Sequence, residues 1–287
     1  MQKPLKKKAT PRPVSIVEEI PVEEQHNVIF KPNDGPQTDF LAAGEREVLY
    51  GGSAGGGKSY AMLADPLRYM GHPAFSGLLL RHTTEELREL IFKSQEMYPK
   101  IWKGIKWSER KMQWTAPSGA RLWMSYLDRE DDVLRYQGLA FSWIGFDELT
   151  QWPSPFAWNY MRSRLRSTAP DLPVYMRATT NPGGRGHHWV KKMFIDPATP
   201  NKTFEATDIE TGEVLKYPAG HEKAGKALFK RRFIPARLSD NPYLSQQGDY
   251  EAMLLSLPEQ QRRQLLEGDW DIKEGAAFTE FDRNIHV

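Results

Sequence analysis

The stretch VLYGGSAGGGKSYAML, residues Val48 to Leu63, decides the fold that this sequence predicts. It matches G-x-x-x-x-G-K-[ST] at every fixed position, between a strand-like apolar segment and a helix-like segment. Glycines let successive backbone N–H groups surround phosphate oxygens without Cβ clashes, and the following helix adds its positive dipole end. The plainer alternative is a glycine-rich turn that happens to precede Lys-Ser. The strand before the run and the helix after it favour a phosphate-binding loop.

The residues of this loop have distinct predicted roles. Lys58 is expected to reach the β- and γ-phosphates of a nucleotide, and Ser59 to ligate Mg²⁺. A phosphate-binding loop alone does not separate kinases, GTPases and motor ATPases. The predicted nucleotide-binding residues of the loop are Gly52, Ser53, Ala54, Gly55, Gly56, Gly57, Lys58 and Ser59.

Two adjacent acids follow a buried apolar segment in WIGFDE, residues 143–148. Asp147, at the predicted strand end, suits Mg²⁺ coordination, usually through water. Glu148 is then placed to orient and polarise an attacking water, which indicates an ATPase rather than a kinase. The pair is also compatible with a helix N-cap followed by a first-turn charge. The upstream phosphate-binding loop favours the catalytic interpretation.

A third polar group follows a predicted core strand in RATTNPGG, residues 177–184. Thr179, Thr180 and Asn181 are predicted at the carboxyl edge of the sheet, where open α/β sheets bind ligands. Their side chains could sense the γ-phosphate and relay its loss. The residues alone are equally compatible with an ordinary strand-to-turn cap at Asn-Pro-Gly.

The rest of the sequence alternates strand and helix patterns. Residues 76–83 read as a buried strand, and residues 83–98 as an amphipathic helix with Thr83 and Glu86 spaced as a capping box. Residues 105–126 alternate polar and apolar side chains around turn signals, which predicts a β-meander. The fold class is therefore α/β, with a mostly parallel, doubly wound sheet, helices on both faces and the meander at one edge. Residues 201–238 look like a hairpin and loops, and the helical pattern after them is broken at Pro258.

Composition sets limits on function and organisation. The 287 residues carry a net charge of only +2 and no cysteine, so disulfides, thiolate metal sites and a cysteine nucleophile are excluded. No apolar run approaches the ~20 residues that span a bilayer, and the N-terminus lacks the apolar core of a secretory signal. We predict a flexible basic, proline-rich tail over residues 1–24, including the cluster Lys6 to Lys8, then a P-loop core over residues 25–220. A lid and linker segment is predicted over residues 221–287.

Together these segments resemble the large terminase subunit of tailed double-stranded DNA bacteriophages, the ATPase that pumps the genome into the empty capsid. The resemblance spans residues 26–282. It is carried by PNDGPQTDFLAAGEREVLYGGSAGGGKS (32–59), GLLLRHTTEEL (77–87), RYQGLAFSWIGFDELTQWP (135–153), MRATTNPGGRGHHWVKKMFID (176–196), FIPARLSDNPYL (233–244) and LLEGDWDIKEGAAFTEFD (265–282).

The resemblance implies an ASCE-type P-loop NTPase that uses ATP and Mg²⁺, with a small C-terminal lid and linker subdomain. It supports the roles given above to Lys58, Ser59, Asp147 and Glu148. It also implies that Thr179 to Asn181 are coupling residues, which relay the loss of the γ-phosphate. It also implies that Gln37 contacts the adenine.

The family further implies an arginine that completes the ATP site of a neighbouring subunit. Some relatives carry an arginine within the phosphate-binding loop, where this chain has Ala54. Others carry one just before the glycine upstream of the acidic pair, where this chain has Gln137. The nearest candidate is Arg135, with Arg162 or Arg164 as alternatives.

The implied partners are double-stranded DNA, the portal protein of the procapsid, the small terminase subunit and further copies in a ring. The expected location is the host cytoplasm, transiently on the procapsid, with no membrane and no secretion. The family's nuclease domain would begin near Val287, so DNA cutting is not expected from this chain, and Asp282 belongs to the linker resemblance. Three alternatives remain: a P-loop kinase, another P-loop nucleic-acid translocase or helicase-like ATPase, and a nucleotide-gated assembly module.

Overall fold

A computed structural model of the protein describes residues 30–246 and 248–272. The predictions for the tail, including Lys6 to Lys8, and for Asp282 lie outside these residues. Within the described ranges, nine strands form one sheet in the order β3-β4-β5-β2-β6-β7-β1-β9-β8. The strands are β1 Glu47–Gly52, β2 Ser76–Arg81, β3 Lys106–Ser108, β4 Gln113–Thr115, β5 Arg121–Tyr126, β6 Trp143–Asp147, β7 Tyr175–Thr180, β8 Thr203–Glu205 and β9 Lys230–Ala236.

Helices precede, connect and follow these strands. Within residues 30–246 and 248–272, no helix combines the length and the apolar character that spanning a bilayer requires. Thr83 caps the longest one with the predicted reciprocal hydrogen bonds to Glu86. The α-helices are α1 Pro36–Ala42, α2 Lys58–Ala64, α3 Thr84–Ile101, α4 Phe156–Arg162, α5 His187–Val190, α6 Pro242–Ser245, α7 Asp249–Leu255 and α8 Glu259–Arg262. Short 3₁₀ segments lie at Asp65–Tyr69, Glu109–Lys111, Glu130–Tyr136, Leu149–Gln151 and Leu238–Asp240, and π-helical turns at Lys191–Ile195 and Arg263–Glu267.

The centre of the sheet is parallel and its two edges are antiparallel. The strands β5, β2, β6, β7, β1 and β9 run parallel to their neighbours in that order. The meander β3-β4-β5 adds two antiparallel pairs at one edge, and β8 pairs antiparallel with β9 at the other. The predicted mostly parallel sheet with an edge meander is confirmed.

Both faces of the sheet are covered, as predicted for a doubly wound fold. On one face, sheet residues such as Leu79 pack with Met62 of α2 and Leu87 of α3. On the other face, Phe146 of β6 packs with Trp158 of α4, and Trp189 of α5 belongs to the same cluster. Because both faces are apolar, the polar carboxyl ends of the central strands are left as the place for a site.

The sequence predicts a hairpin within residues 201–238, and β8 and β9 form an antiparallel pair there, but the parallel pairing of β9 with β1 was not predicted. Residues 230–236 fall within the segment expected to form the lid and linker, yet they pair with β1 over its whole length. Arg231 lies buried inside this strand because Glu47 of β1 accepts a hydrogen bond from its guanidinium at 2.8 Å. The sheet therefore extends beyond residue 220, the predicted end of the core.

Candidate nucleotide-binding site

The glycine-rich loop joins the carboxyl end of β1 to the N-terminus of α2 in a conformation that requires glycine. Gly55 and Gly57 have φ angles of 78° and 77°, in the left-handed region that L side chains rarely adopt. A Cβ on Gly52 would lie 2.2 Å from the carbonyl oxygen of Ala236 in β9. The predicted phosphate-binding geometry therefore depends on close contact with β9.

This loop lines a cavity of about 330 Å³ at the carboxyl edge of the sheet. The cavity brings together residues from three predicted parts of the site: the loop, Glu148 and Asn181. Its lining residues are Ala54, Gly55, Gly56, Gly57, Lys58, Ser59, Tyr60, Glu89, Lys93, Glu148, Asn181, Asn241, Leu244 and Tyr250. Gly52 and Ser53 lie behind this lining and are buried.

Lys58 is buried at the first position of α2. Its ammonium donates a hydrogen bond to the carbonyl oxygen of Ser53 at 2.6 Å. Burial lowers the pKa of this ammonium, and the negative charges of Glu148 and Asp147 oppose that shift. A cation held between the loop and two carboxylates is suited to anionic phosphate oxygens.

Asp147 ends β6 with its carboxylate almost fully buried. Thr179 lies opposite it in the register of β7 and donates its hydroxyl proton to Oδ1, while Arg81 at the end of β2 forms an ion pair with Oδ2. Burial alone would lower the pKa of Arg81, but the nearby carboxylates, Asp147 foremost, raise it overall. Arg81 was not predicted, although an arginine at the carboxyl end of a core strand next to β6 was a usable signal.

Glu148 lies beside Asp147 on a left-handed backbone with φ of 60°. One carboxylate oxygen accepts a hydrogen bond from the backbone N–H of Asn181 at 3.3 Å. Burial, and then the charge of Asp147, raise the pKa of Glu148. A carboxylate with a raised pKa at a cavity wall is suited to accept a proton near neutral pH.

The segment Thr179 to Asn181 connects the two acids to the element that follows β6. The Thr180 hydroxyl lies 2.7 Å from the Thr150 hydroxyl and accepts the Thr150 backbone N–H. In the described part of the chain, Oδ1 of Asn181 is buried without a hydrogen-bond partner. The hydroxyls of Thr179 and Thr180 thus bond to other side chains of the protein, whereas Asn181 lines the cavity.

Gln37 lies behind the loop rather than among the residues that line the cavity. Its side-chain oxygen accepts the backbone N–H of Asn33 at 2.6 Å, and its amide donates to the carbonyl oxygen of Gly57 at 2.8 Å. These bonds hold Gly57 at the start of α2. The adenine contact of Gln37 stays a prediction.

None of the three candidate arginines lines the cavity. Arg135 donates hydrogen bonds to the backbone oxygens of Tyr126 and Asp132 within its own chain. Arg162 is engaged with Glu47, and Arg164 bonds to the hydroxyl of the residue before it. The role of Arg135 in a neighbouring subunit stays a prediction.

The segment after β9, which falls within the lid and linker predicted over residues 221–287, supplies a wall of the cavity. Asn241 donates its side-chain amide to the carbonyl oxygen of Gly55 at 2.7 Å, and Ala54 donates its backbone N–H to the carbonyl oxygen of Leu265 at 2.6 Å. Leu244 and Tyr250 lie against Gly55. The C-terminal part of the described chain therefore contacts the phosphate-binding loop directly.

The glycine-rich loop, its lysine, the two acids after β6 and the central strand order define a P-loop NTPase fold. The chain belongs to the family described as "Terminase large subunit, T4likevirus-type, N-terminal", whose profile matches residues 49–285. A comparison with curated protein sequences finds no match.

Solved structures of terminases share this fold. The large terminase of a thermophilic bacteriophage in complex with ADP is 18% identical, with a TM-score of 0.58 over 83% of this chain and 54% of that one. The same protein in complex with ATP-γ-S gives 17% identity and a TM-score of 0.57 over 83% and 53%. The ATPase domain of the Thermus phage P74-26 large terminase gives 13% identity and a TM-score of 0.53 over 84% and 94%. The chain thus spans about half the length of the first of these terminases.

Proposed function

We propose that this chain is the ATP-hydrolysing motor domain of a viral large terminase, which drives double-stranded DNA through the portal into the procapsid. The observation that carries this proposal is the cavity shared by the phosphate-binding loop, Lys58, Glu148 and Asn181. Family membership and the nucleotides bound to the terminase of the thermophilic bacteriophage support it. The small terminase subunit and a ring of further copies on the portal are proposed partners on the same grounds.

In this proposal the loop and Lys58 bind the nucleotide phosphates. Glycine permits the left-handed turns that the loop needs to surround a phosphate, and the N-terminus of α2 contributes its dipole. Lys58 exchanges its hydrogen bond with Ser53 for a phosphate oxygen, because a charged acceptor binds an ammonium more strongly than a carbonyl does.

Ser59 and Asp147 are the residues that would hold Mg²⁺. They offer a hydroxyl and a carboxylate oxygen, which are the hard ligands that Mg²⁺ prefers, and Asp147 lies where β6 ends. When bound, the ion neutralises charge on the phosphates. Arg81 and Thr179 orient the carboxylate of Asp147 through its two oxygens.

Glu148 and Asn181 are the residues that would position the attacking water. Glu148 accepts its proton, and the unpartnered Oδ1 of Asn181 offers a second acceptor at the same wall of the cavity. The backbone N–H of Asn181 holds the Glu148 carboxylate in place. Loss of the γ-phosphate would change this contact and, through Thr180 and Thr150, the segment after β6.

The substitution Glu148→Gln tests this assignment. We expect phosphate release from ATP in the presence of Mg²⁺ to fall by about 10²- to 10⁴-fold, because the general base is lost. Binding of a fluorescent ADP should be retained, since the loop and Lys58 are intact. The exposed Glu205→Gln serves as a matched control with wild-type turnover.

Two outcomes would contradict the proposal. Phosphorylation of a small-molecule acceptor by Glu148→Gln at the wild-type rate would indicate a kinase. Binding of ATP by the wild type without phosphate release, at every protein concentration and with DNA present, would indicate a nucleotide-gated assembly module.

A further inference from the structure

The edge meander and the end of α3 that leads into it carry a concentration of positive charge that the nucleotide site does not explain. Residues 100–121 contain six lysines and arginines and one acid, Glu109, in a chain whose net charge is only +2. All six cations are exposed. They are Lys100, Lys103, Lys106, Arg110, Lys111 and Arg121.

These six cations have no counterions in the described part of the chain, where none forms an ion pair or a side-chain hydrogen bond. The single acid of the segment, Glu109, accepts a hydrogen bond from the indole N–H of Trp107. Elsewhere among the described residues some exposed or half-buried cations, such as Lys93 and Arg135, pair with acids of their own helical segments, while others, such as Lys202 and Lys226, form no ion pair. What distinguishes this segment is therefore the concentration of exposed, unpaired positive charge, which an external anion can neutralise.

The strand register places part of this charge on one face of the sheet. Lys106 of β3 pairs with Thr115 of β4, which pairs with Arg121 of β5, so the three side chains share a face. The opposite face carries Trp114, which packs against Tyr98 of α3. The face that bears Lys106 and Arg121 is thus the one turned away from α3.

The dimensions of this face match a nucleic-acid backbone. Two interstrand spacings separate Lys106 from Arg121, about 10 Å between backbones. Arg110 and Lys111 lie at the β3–β4 turn, about another 10 Å along the hairpin. Along the axis of duplex DNA each strand presents a phosphate every ~3.4 Å, so this area faces several of them.

We propose that the meander face, formed by Lys106, Arg121 and the turn residues Arg110 and Lys111, binds the phosphate backbone of double-stranded DNA. The choice of duplex DNA among polyanions rests on the proposed packaging function. No base-reading geometry is involved, so the contact is independent of sequence, as a protein that moves along DNA requires. The meander joins the central sheet through β5 and β2, and β2 carries Arg81 next to Asp147.

The test is the salt dependence of duplex binding by the full chain without nucleotide, measured as fluorescence anisotropy of a labelled DNA duplex. The double variant Lys106→Gln/Arg121→Gln should bind more weakly and reduce the slope of log K against log salt by about 1.8, or about 0.9 for each lost phosphate contact. Arg110→Gln/Lys111→Gln should do the same. The control Lys202→Gln/Lys226→Gln removes two exposed charges outside the meander and should leave the slope unchanged.

An unchanged slope in both meander variants overturns the proposal, as does an equal loss in the control or the absence of duplex binding by the wild type. The result of this DNA-binding test does not depend on whether the chain hydrolyses ATP. A slope reduced only in the meander variants, with no phosphate release from ATP, would leave the DNA surface standing and remove the motor function. Thermal unfolding of each variant checks that the fold is retained.

Discussion

Glu148 shows how one residue can combine backbone strain and a perturbed charge. It has φ of 60° without being glycine, a conformation that costs on the order of 1–3 kcal/mol and persists where neighbours enforce it. Here the buried strand β6 on one side and the N–H of Asn181 on the other hold it. The same position keeps the carboxylate beside Asp147, and burial together with that neighbour raises its pKa.

The pH profile of ATP hydrolysis should report this raised pKa. A general base works only when deprotonated, so kcat/KM should fall as the pH drops through a value above 4.5, the ordinary glutamate pKa. Steady-state hydrolysis measured across the acid range, with ADP binding followed in parallel, checks the expectation. The residual hydrolysis rate of Glu148→Gln should not show this fall at acid pH. A fall in kcat/KM that occurs only at or below the ordinary glutamate pKa would show that Glu148 is not the base.

At the scale of elements, a buried ion network joins β1, β9 and α4. The carboxylate of Glu47 accepts hydrogen bonds from Arg231 at 2.8 Å and from a terminal nitrogen of Arg162 at 3.3 Å. Burial by itself raises the pKa of Glu47, but the two guanidinium groups outweigh it and lower the pKa overall. Removing Glu47 leaves the guanidinium of Arg231 buried without its carboxylate, which is strongly destabilising.

The substitution Glu47→Gln should therefore reduce the free energy of unfolding by about 3–5 kcal/mol, measured by urea denaturation at neutral pH. The folded pKa lies below the unfolded one, so this stabilisation is complete above the unfolded pKa and is lost as the pH falls through the folded pKa. The difference between variant and wild type should shrink accordingly in acid. The exposed Glu213→Gln should change stability by no more than ~0.5 kcal/mol. An equally small effect of Glu47→Gln would contradict the structural role of the network.

The same network explains why the place of β9 beside β1 was not predicted. Its sequence KRRFIPA begins with three cations and contains Pro235, both unusual in a central strand. Arg231, the buried one of the three, is tolerated because Glu47, distant in sequence, neutralises it, and Lys230 is exposed. Pro235 is tolerated because the pairing with β8 covers only Lys230 to Arg232. Neither reason is visible within the segment itself.

The elements around the site were predictable because each carries a local signal. The glycine loop, the acids after β6 and the polar end of β7 follow apolar strands, and parallel strands bring their carboxyl ends to one edge. Arg81 carried the same kind of signal, since it ends the predicted strand β2, whereas Asn241 reaches the site from a segment whose place depends on tertiary contacts. The position of Gln37 behind Gly57 likewise depends on the packing of α1 against α2.

At the scale of the whole molecule, none of the arginines predicted to act on a neighbouring subunit lines the nucleotide cavity. Arg135 bonds to Tyr126 and Asp132 of its own chain, and its side chain is 44% exposed. Arg81, the arginine that contacts Asp147, is already committed to that carboxylate. If Arg135 stabilises the transferred phosphoryl group, it must do so in the site of a neighbouring copy.

We therefore predict that the ATPase rate per subunit rises with protein concentration, because the site is completed only on association. Arg135→Ala should lower this rate by about 10²-fold or more, the usual cost of losing a charge-stabilising donor. Arg129→Ala, an exposed arginine just before the same 3₁₀ segment, is the matched control and should keep wild-type turnover. Mixing Arg135→Ala with Glu148→Gln should restore activity, since one partner supplies an intact base and the other an intact arginine. A concentration-independent rate that Arg135→Ala leaves unchanged would remove Arg135 from the site, and a mixture no more active than its components would exclude its action between subunits.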